Sequence, residues 1–198
     1  MVGETHVLKI KPEDLKIVLK NRAIKDIAES TAINGTFFWD GKPNGILINE
    51  GKVLGDQASH AWRGYPQSVI YMTKQGEVKI KRINLAAEII LEAVWAIGGL
   101  GILAPYGYSP NSEGFSGTYS DVLRTTNKTF MGYKKDEDLI YLCIRPHSSH
   151  DRIIESVKNL KLDFAISLDG GGSSSLKINN KVIVSGDGRK VNNYITIK

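Results

Sequence analysis

Short apolar runs recur along this chain, and turn-forming residues separate them. In residues 46–54 two such runs flank Gly51, and in residues 68–83 two longer runs flank Gly76. Paired apolar runs about a glycine-containing turn are typical of β-hairpins. In the last arm, residues 78–83, apolar and basic residues alternate, as they do in a strand that exposes one face. The pattern predicts a sheet that is largely antiparallel.

Other segments extend this sheet and add helices. Further apolar runs predict strands at residues 139–144, 164–168, 175–178, 181–184 and 194–197, and another strand that ends near Asn34. Helices are expected within residues 12–30, at 84–95 with Asn84 as the cap, and at 151–160 with Asp151 as the cap. Residues 98–120, rich in Gly, Ser and Asn, are expected to form an irregular region. The predicted fold is α+β, a twisted and mostly antiparallel or mixed sheet with helices packed on it, forming a single domain over residues 1–198.

The length and composition exclude several classes of protein. A chain of 198 residues falls in the range of one domain, and no apolar run approaches the ~20 residues of a membrane span, so no membrane contact is expected. The first residues lack the basic start and apolar core of a secretory signal, which predicts a cytoplasmic location. The sequence leaves the oligomeric state open.

Charge and metal-binding residue types argue against nucleic acid and metal ions as partners. The net charge of +5 favours anionic ligands, but the basic residues are spread along the chain and form no nucleic-acid motif. His147 and His150 have a spacing that suits zinc, yet no third ligand accompanies them. Cys143 is the only cysteine and has no disulfide partner. Neither a metal nor another cofactor is expected.

The segment with the clearest chemistry is residues 169–175, which reads Asp-Gly-Gly-Gly-Ser-Ser-Ser directly after an apolar run. Three successive glycines allow unusual backbone dihedrals and let a ligand approach the main chain. Their amides can form an anion-binding concavity, to which Ser173 and Ser174 add hydroxyl donors. A flexible linker has a similar composition, but a linker needs no aspartate at a strand end. The composition alone indicates an anion-binding loop with a carboxylate beside it.

Several segments, taken in order, resemble the motifs of the phosphodiester glycosidase family. The loop at residues 168–174 resembles the family's Asp-Gly-Gly-Gly-Ser signature. The other matching segments are residues 33–38 for Asn-Gly-Gly-Phe-Phe, 96–99 for the central glycine segment, 128–132 for Arg-Thr-Ala-x-Gly and 189–193 for Arg-x-Val-x-Asn. The resemblance covers about residues 30–198.

This resemblance implies an activity and a set of site residues. The implied reaction is hydrolysis of the anomeric carbon–oxygen bond of a sugar-1-phosphodiester or a related phosphorylated glycoside, so the expected partner is a small phosphorylated sugar. Asp169 would act at the anomeric carbon or on its water, Asn34 would orient sugar hydroxyls, and Thr129 would complete the catalytic set. The residues expected to hold the phosphate or the substrate are Gly35, Arg124, Lys128, Gly170, Gly171, Gly172, Ser173, Ser174 and Arg189.

Two interpretations without catalysis stay open. The family places an Asp-Gly-Arg after the strand that corresponds to residues 139–144, whereas this chain reads Arg145-Pro146-His147 there. The same loop could therefore sequester a phosphorylated sugar or nucleotide-like ligand as a binding module. A member without a visible signal is also consistent with an intracellular bacterial or phage-encoded protein, where the domain could be a structural component of a phage assembly.

Further side chains have a functional and a structural interpretation. Glu113 or Asp121, in the glycine-rich region, could supply a second carboxylate. Phe37, Phe38 and Trp39 are expected to be core residues in preference to a platform for sugar. Sequence reasoning does not choose between the two carboxylates.

Overall fold

The computed structural model describes residues 4–55, 65–103, 110–115 and 120–197. Within these residues the chain forms sixteen strands and one α-helix. The strands in chain order are β1 His6–Ile10, β2 Leu15–Arg22, β3 Ala32–Asn34, β4 Phe38–Trp39, β5 Lys42–Pro43, β6 Leu47–Asn49, β7 Lys52–Val53, β8 Gln67–Thr73, β9 Val78–Ile83, β10 Ala93–Leu103, β11 Thr126–Lys134, β12 Leu139–Ser148, β13 Phe164–Ser167, β14 Leu176–Ile178, β15 Lys181–Val184 and β16 Val191–Ile197. The α-helix, α1, is His150–Asn159, and short 3-10 turns span Pro12–Asp14, Ile24–Asp26, Ala86–Glu88, Asn111–Glu113, Ser120–Leu123 and Gly171–Ser173.

Two sheets contain nearly all of these strands. The larger has nine strands, in which β1, β12, β11, β13, β10, β6 and β7 lie side by side, β8 pairs with β10 and β9 pairs with β8. The smaller has five strands in the order β15-β14-β3-β16-β2, and β4 pairs with β5 as a separate hairpin. Every strand pair among the described residues is antiparallel. The predicted antiparallel sheet is therefore confirmed, including the hairpins β6–β7 and β8–β9.

The two sheets bury a shared apolar core. Ile33 and Ile195 from the smaller sheet belong to the same buried cluster as Met131 and Trp95 from the larger sheet. The buried indole N–H of Trp95 donates to the carbonyl oxygen of Pro12 at 2.9 Å, which satisfies its polar atom inside the core. Burial of this kind is the main favourable term in folding, and here it joins the first and last parts of the chain.

Helix α1 covers the opposite face of the larger sheet. Ile153 and Val157 on the helix pack against Phe130 and Tyr141, which alternate with the residues that face the shared core. The predicted helix at residues 151–160 is thus present, although its cap is Ser149, whose hydroxyl accepts from the amide of Arg152 at 3.4 Å. No helix within the described part of the chain is long and apolar enough to cross a bilayer.

The other two predicted helices are wrong. Within residues 12–30 the chain forms 3-10 turns on either side of β2, where Leu15 and Ile17 are buried and Lys16 between them is half-buried. Pairing of β2 with β16 decides this conformation, and that partner is distant in sequence. Within residues 84–95 one 3-10 turn, Ala86–Glu88, precedes β10. The α+β prediction holds only in part, because the described chain is mostly β with a single α-helix.

Strand β10 includes residues 98–103, which the sequence had assigned to an irregular region, so that part of the prediction is wrong. Gly98 and Gly99 lie in the interior of this buried strand, where a Cβ on Gly98 would be 2.2 Å from Gln67 Oε1. A Cβ on Gly99 would be 2.3 Å from the carbonyl oxygen of Ser167. Glycine is therefore required at both positions, because atoms of the neighbouring strands occupy the space of a side chain. The parts of the expected irregular region at 104–109 and 116–119 lie outside the described residues.

Candidate active site

The glycine-rich loop begins where β13 ends, between two other strand ends. The amide of Leu168 donates to the carbonyl oxygen of Thr129 at 2.9 Å, and the amide of Asp169 donates to that of Gly35 at 3.2 Å. Gly171 has a φ of +63°, a left-handed conformation that glycine adopts without strain. The loop is thus held by β11 on one side and by the end of β3 on the other.

A buried polar cluster lies beneath the loop and fixes its path. The side-chain amide of Asn34 donates to the carbonyl oxygen of Asp169 at 2.8 Å. Its Oδ1 accepts from Thr129 Oγ1 at 2.9 Å and from the amide of Ser175 at 3.0 Å. Thr129 Oγ1 also lies 3.0 Å from Ser174 Oγ. Because these side chains are buried and bonded to one another, they position the loop from below.

Asn193 secures the chain on the other side of Asn34. The amide of Gly35 donates to the Asn193 carbonyl oxygen at 3.0 Å, and the amide of Thr36 donates to Asn193 Oδ1 at 2.8 Å. A Cβ on Gly35 would lie 2.1 Å from Asn193 Oδ1, so only glycine fits. The Gly35 amide is thus engaged within the protein, on the buried side of the loop.

A cavity of about 450 Å³ opens on the outer side of the loop. The described residues that line it are Val122, Arg124, Thr125, Thr126, Lys128, Ser167, Leu168, Asp169, Gly170, Gly171, Gly172 and Arg189. Three cationic side chains, from Arg124, Lys128 and Arg189, therefore line the same cavity as one carboxylate, from Asp169. Such an arrangement can bind an anion while a carboxylate stands beside it.

The cavity divides the predicted site residues into two groups. Those that line it are Arg124, Lys128, Asp169, Gly170, Gly171, Gly172 and Arg189. Those that lie behind it are Asn34, Gly35, Thr129, Ser173 and Ser174, all buried. The structure brings both groups together around one loop, but the second group supports the loop from within the protein.

Lys128 and His150 share one partner at the cavity wall. Lys128 Nζ donates to the carbonyl oxygen of Val122 at 2.5 Å, and His150 Nε2 lies 2.8 Å from the same oxygen. Since a carbonyl oxygen only accepts, Nε2 carries the proton of the neutral imidazole. Burial of the ring, with a smaller effect from the charge of Lys128, lowers the pKa of His150 to about 4.

This low pKa predicts that acid weakens the fold through His150. The unfolded chain takes up the proton near pH ~6.5, so the contribution of neutral His150 to stability is lost as the pH falls from there towards 4. Replacing His150 by glutamine should reduce the loss of unfolding free energy between pH 7 and pH 4.5 by about 2 kcal/mol, measured by urea denaturation. His147→Gln, at an exposed position, is the matched control and should keep the wild-type loss. Equal losses in His150→Gln and the wild type would contradict the prediction.

The two histidines do not converge on a metal site. His147 is exposed, whereas His150 is buried against Val122. In the described ranges no group of three or more His, Cys, Asp and Glu side chains is placed to hold an ion. Cys143 is buried in the sheet, and its burial raises the pKa of the thiol.

Asp187, which the sequence analysis did not include, holds Arg189 in place. Arg189 Nε lies 3.0 Å from both carboxylate oxygens, and Nη2 lies 2.6 Å from Oδ2. This bidentate pair lowers the pKa of Asp187 and raises the pKa of Arg189. The amide of Asp187 donates to the Gly172 carbonyl oxygen at 3.0 Å, so the segment rests on the glycine loop. An Asp-Gly-Arg sequence is thus present at residues 187–189, and that signal was available in the sequence.

Arg145, in contrast, is not among the described residues that line the cavity. Its guanidinium donates to the carbonyl oxygen of Arg152 at 2.9 Å and to the hydroxyl of Ser156, both on α1. Arg145, which stands where the family places its Asp-Gly-Arg, therefore supports the helix.

The close approach of residues 186–189 to the loop predicts contrasting effects of two alanine substitutions. Gly186 has a φ of +60°, and its Cβ would lie 2.1 Å from the Gly172 carbonyl oxygen. Gly188 has a φ of +81°, but no atom lies within 4 Å of its Cβ position. We expect Gly188→Ala to cost about 1 kcal/mol of unfolding free energy from backbone strain alone, and Gly186→Ala at least about 3 kcal/mol. Urea denaturation measures both, and equal costs would show that the clash is relieved.

The remaining carboxylate candidates are not part of the described cavity lining. Glu113 is fully buried, and its carboxylate accepts from Ser68 Oγ at 2.8 Å and from Arg82 Nη2 at 2.9 Å. Glu113 therefore anchors the 3-10 turn Asn111–Glu113 to β8 and β9 of the larger sheet. The side chain of Asp121, the alternative, lies outside what the structure describes.

The three aromatic residues after Asn34 have different environments. Phe37 is buried and packs against Phe115 with ring centroids 5.1 Å apart, and Phe38 is half-buried in a second cluster. Trp39 has 80% of its surface exposed at the β4–β5 hairpin. The prediction of a core role is confirmed for Phe37 and is wrong for Trp39.

Comparison with known protein families supports the resemblance that the sequence motifs indicated. The sequence model of the phosphodiester glycosidase family matches residues 28–198. No curated protein sequence gives a significant match. The family match covers most of the chain, including the loop, the strands around it and Arg189.

Solved structures share the fold at low sequence identity. The catalytic domain of zebrafish N-acetylglucosamine-1-phosphodiester alpha-N-acetylglucosaminidase superposes with a TM-score of 0.77 at 15% identity, covering 98% of this chain and 82% of that one. A protein from Synechocystis gives 0.71 at 13% identity, covering 98% and 59%, and one from Burkholderia pseudomallei gives 0.71 at 11%, covering 98% and 73%. Together with the match over residues 28–198, the motifs and the fold show that this chain belongs to the phosphodiester glycosidase family.

Proposed function

We propose that this protein hydrolyses the anomeric carbon–oxygen bond of a sugar-1-phosphodiester and leaves the phosphate as a monoester on the other alcohol. The observation that carries the proposal is the cavity in which Asp169 lies among the cationic side chains of Arg124, Lys128 and Arg189. A sugar phosphodiester presents an anionic group next to a carbon that becomes cationic in the transition state. The zebrafish relative is named for N-acetylglucosamine-1-phosphodiester, which supports the same class of substrate here.

In this proposal the cations and the loop bind the phosphate. Arg124 and Arg189 offer planar guanidinium groups that match phosphate oxygens, and Lys128 adds a point charge. Gly171 and Gly172 line the same cavity without side chains, so their main chain can approach the ligand closely. As the bond breaks, negative charge grows on the departing phosphate, and these fixed groups stabilise it.

Asp169 carries the chemical step. Its carboxylate stabilises the cationic anomeric centre or activates the attacking water, and phosphate is a good enough leaving group to depart without an acid beside it. Asn34 and Thr129 act through Asp169, because Asn34 binds its carbonyl oxygen and Thr129 binds Asn34. They are positioning residues in this mechanism, and their direct contact with sugar is not needed.

Hydrolysis in water enriched in oxygen-18 tests the proposal. Purified protein is incubated with a sugar-1-phosphodiester, and the products are analysed by mass spectrometry. Cleavage at the anomeric carbon places the label on the sugar and leaves the phosphomonoester unlabelled. Label in the phosphate would mean attack at phosphorus and would reject this reaction. Binding of intact diester without any product would support the binding-module alternative.

A further inference from the structure

We propose that Asp187 makes the cavity select a phosphodiester over a phosphomonoester. This inference rests on the proposed function, in which the diester is the substrate and the monoester is the product. It assigns Asp187 a role in specificity, separate from the chemical step that we assign to Asp169.

The carboxylate of Asp187 lies next to Arg189 and Gly172, two residues that line the cavity. The Asp187 amide is bound to the carbonyl oxygen of Gly172 at 3.0 Å. A Cβ on Gly172, a cavity-lining residue, would lie 2.2 Å from Asp187 Oδ2, which shows how near the carboxylate is to the cavity wall. Its two oxygens bind the Nε and Nη2 atoms of Arg189. A negative charge is therefore held beside a cation that we expect to bind phosphate.

This negative charge affects the two esters unequally. A phosphodiester carries one negative charge, whereas a phosphomonoester carries about −1.5 to −2 at pH 7. The repulsion from a fixed charge is proportional to the charge of the ligand. Asp187 therefore repels the monoester more strongly than the diester, by up to about a factor of two. The side chain of Asp187 is 48% exposed, so solvent screens the effect. We expect a preference of about threefold from this residue.

Selectivity of this kind assists turnover. Arg124, Lys128 and Arg189 alone would bind the more highly charged product more tightly than the substrate. Asp187 offsets part of that advantage while holding Arg189 in the orientation that the substrate needs. Product release is then faster than it would be from a purely cationic cavity.

Asp187→Asn tests the proposal, because the amide keeps the shape of the side chain and removes its charge. Binding of methyl phosphate and dimethyl phosphate to the full chain is measured by NMR titration. At pH 8, where methyl phosphate is a dianion, the ratio of the two dissociation constants should shift about threefold towards methyl phosphate in the variant. At pH 5, where both probes carry one charge, the variant and the wild type should give the same ratio.

Asp187, Arg189 and His150 keep their charge states between these pH values. Arg189 stays protonated, because Asp187 raises the pKa of its guanidinium. The hydrogen bonds from Arg189 hold the pKa of Asp187 below its ordinary value, so Asp187 stays ionised at pH 5. His150, behind Lys128, has a pKa of about 4 and stays neutral. The change in ratio between pH 8 and pH 5 therefore reports the charge of the ligand.

Asp136→Asn is the matched control, since it removes one exposed carboxylate at the turn between β11 and β12, at the far end of β11 from the cavity. Its ratio at pH 8 should equal that of the wild type. If Asp187 only orients Arg189, methyl phosphate loses at least as much affinity as dimethyl phosphate in Asp187→Asn, because it carries the larger charge. The ratio at pH 8 then stays constant or shifts towards dimethyl phosphate, which overturns the proposal. Absence of binding by either probe to the wild type also overturns it. A protein that binds with this selectivity but does not hydrolyse diesters would reject only the proposed function.

Discussion

Replacing Asp169 by asparagine is expected to abolish turnover while leaving the fold and phosphate binding intact. Asparagine keeps the shape and an oxygen that can accept from the Gly170 amide, a bond of 3.0 Å in the native protein. It removes the charge and the basicity needed beside a developing cation, so kcat should fall by at least about a hundredfold with little change in KM. The assay is hydrolysis of a sugar-1-phosphodiester, with phosphate binding measured by calorimetry and folding by circular dichroism.

Asp40→Asn is a suitable control for Asp169→Asn. Asp40 is exposed at the β4–β5 hairpin and has a φ of +48°, a conformation that asparagine also tolerates. Its kcat should match the wild type. If Asp169→Asn keeps more than about a tenth of the wild-type kcat, a loss under ~1.4 kcal/mol, Asp169 is not the essential carboxylate.

The second large effect is expected from Asn34→Ala, and it concerns stability. Asn34 has no exposed surface, and its side chain binds the Asp169 carbonyl oxygen, the Thr129 hydroxyl and the Ser175 amide. Alanine would leave these groups buried without their partner, at a cost of about 1 to 3 kcal/mol each, partly relieved by rearrangement. We expect the free energy of unfolding in urea to fall by about 3 to 5 kcal/mol.

Asn159→Ala separates this effect from the general cost of replacing asparagine. Asn159 is exposed at the end of α1, so its variant should stay within about 0.5 kcal/mol of the wild type. A loss below about 1.5 kcal/mol for Asn34→Ala would mean that water or neighbouring groups replace its hydrogen bonds. The polar cluster would then not be what fixes the loop.

Local patterns predicted those parts of the fold that depend on neighbours in sequence. The hairpins β6–β7 and β8–β9 form because each turn joins two adjacent apolar runs. The segment at residues 12–30 contains helix formers, but β2 is extended because β16 pairs with it from the other end of the chain. The glycines of β10 suggested a loop, and only the presence of Gln67 and Ser167 against them explains why a strand contains them. Long-range packing overrides propensity in both cases.

The sequence predicted part of the candidate site, and the rest depends on contacts that only the folded chain makes. The sequence identified the loop at residues 169–173 and the cations Arg124, Lys128 and Arg189 that line the cavity with it. It did not show that Asn34 and Thr129 support the loop from behind, because burial and hydrogen-bond partners are properties of the folded chain. Asp187 was missed although it stands two residues before Arg189, since its importance comes from its contact with Gly172 and its bonds to Arg189.

The position of β16 in the smaller sheet has a consequence for biosynthesis. This strand lies between β3 and β2, both of which leave the ribosome long before it does. Until β16 is made, the edges of β2 and β3 lack their main-chain partner, and Gly35 and Thr36 lack the groups that Asn193 supplies. Exposed strand edges of this kind are prone to pairing with other chains. The nascent chain should therefore be prone to wrong strand pairing until β16 emerges, and the glycine-rich loop gains the support that Asn193 gives through Gly35 only then.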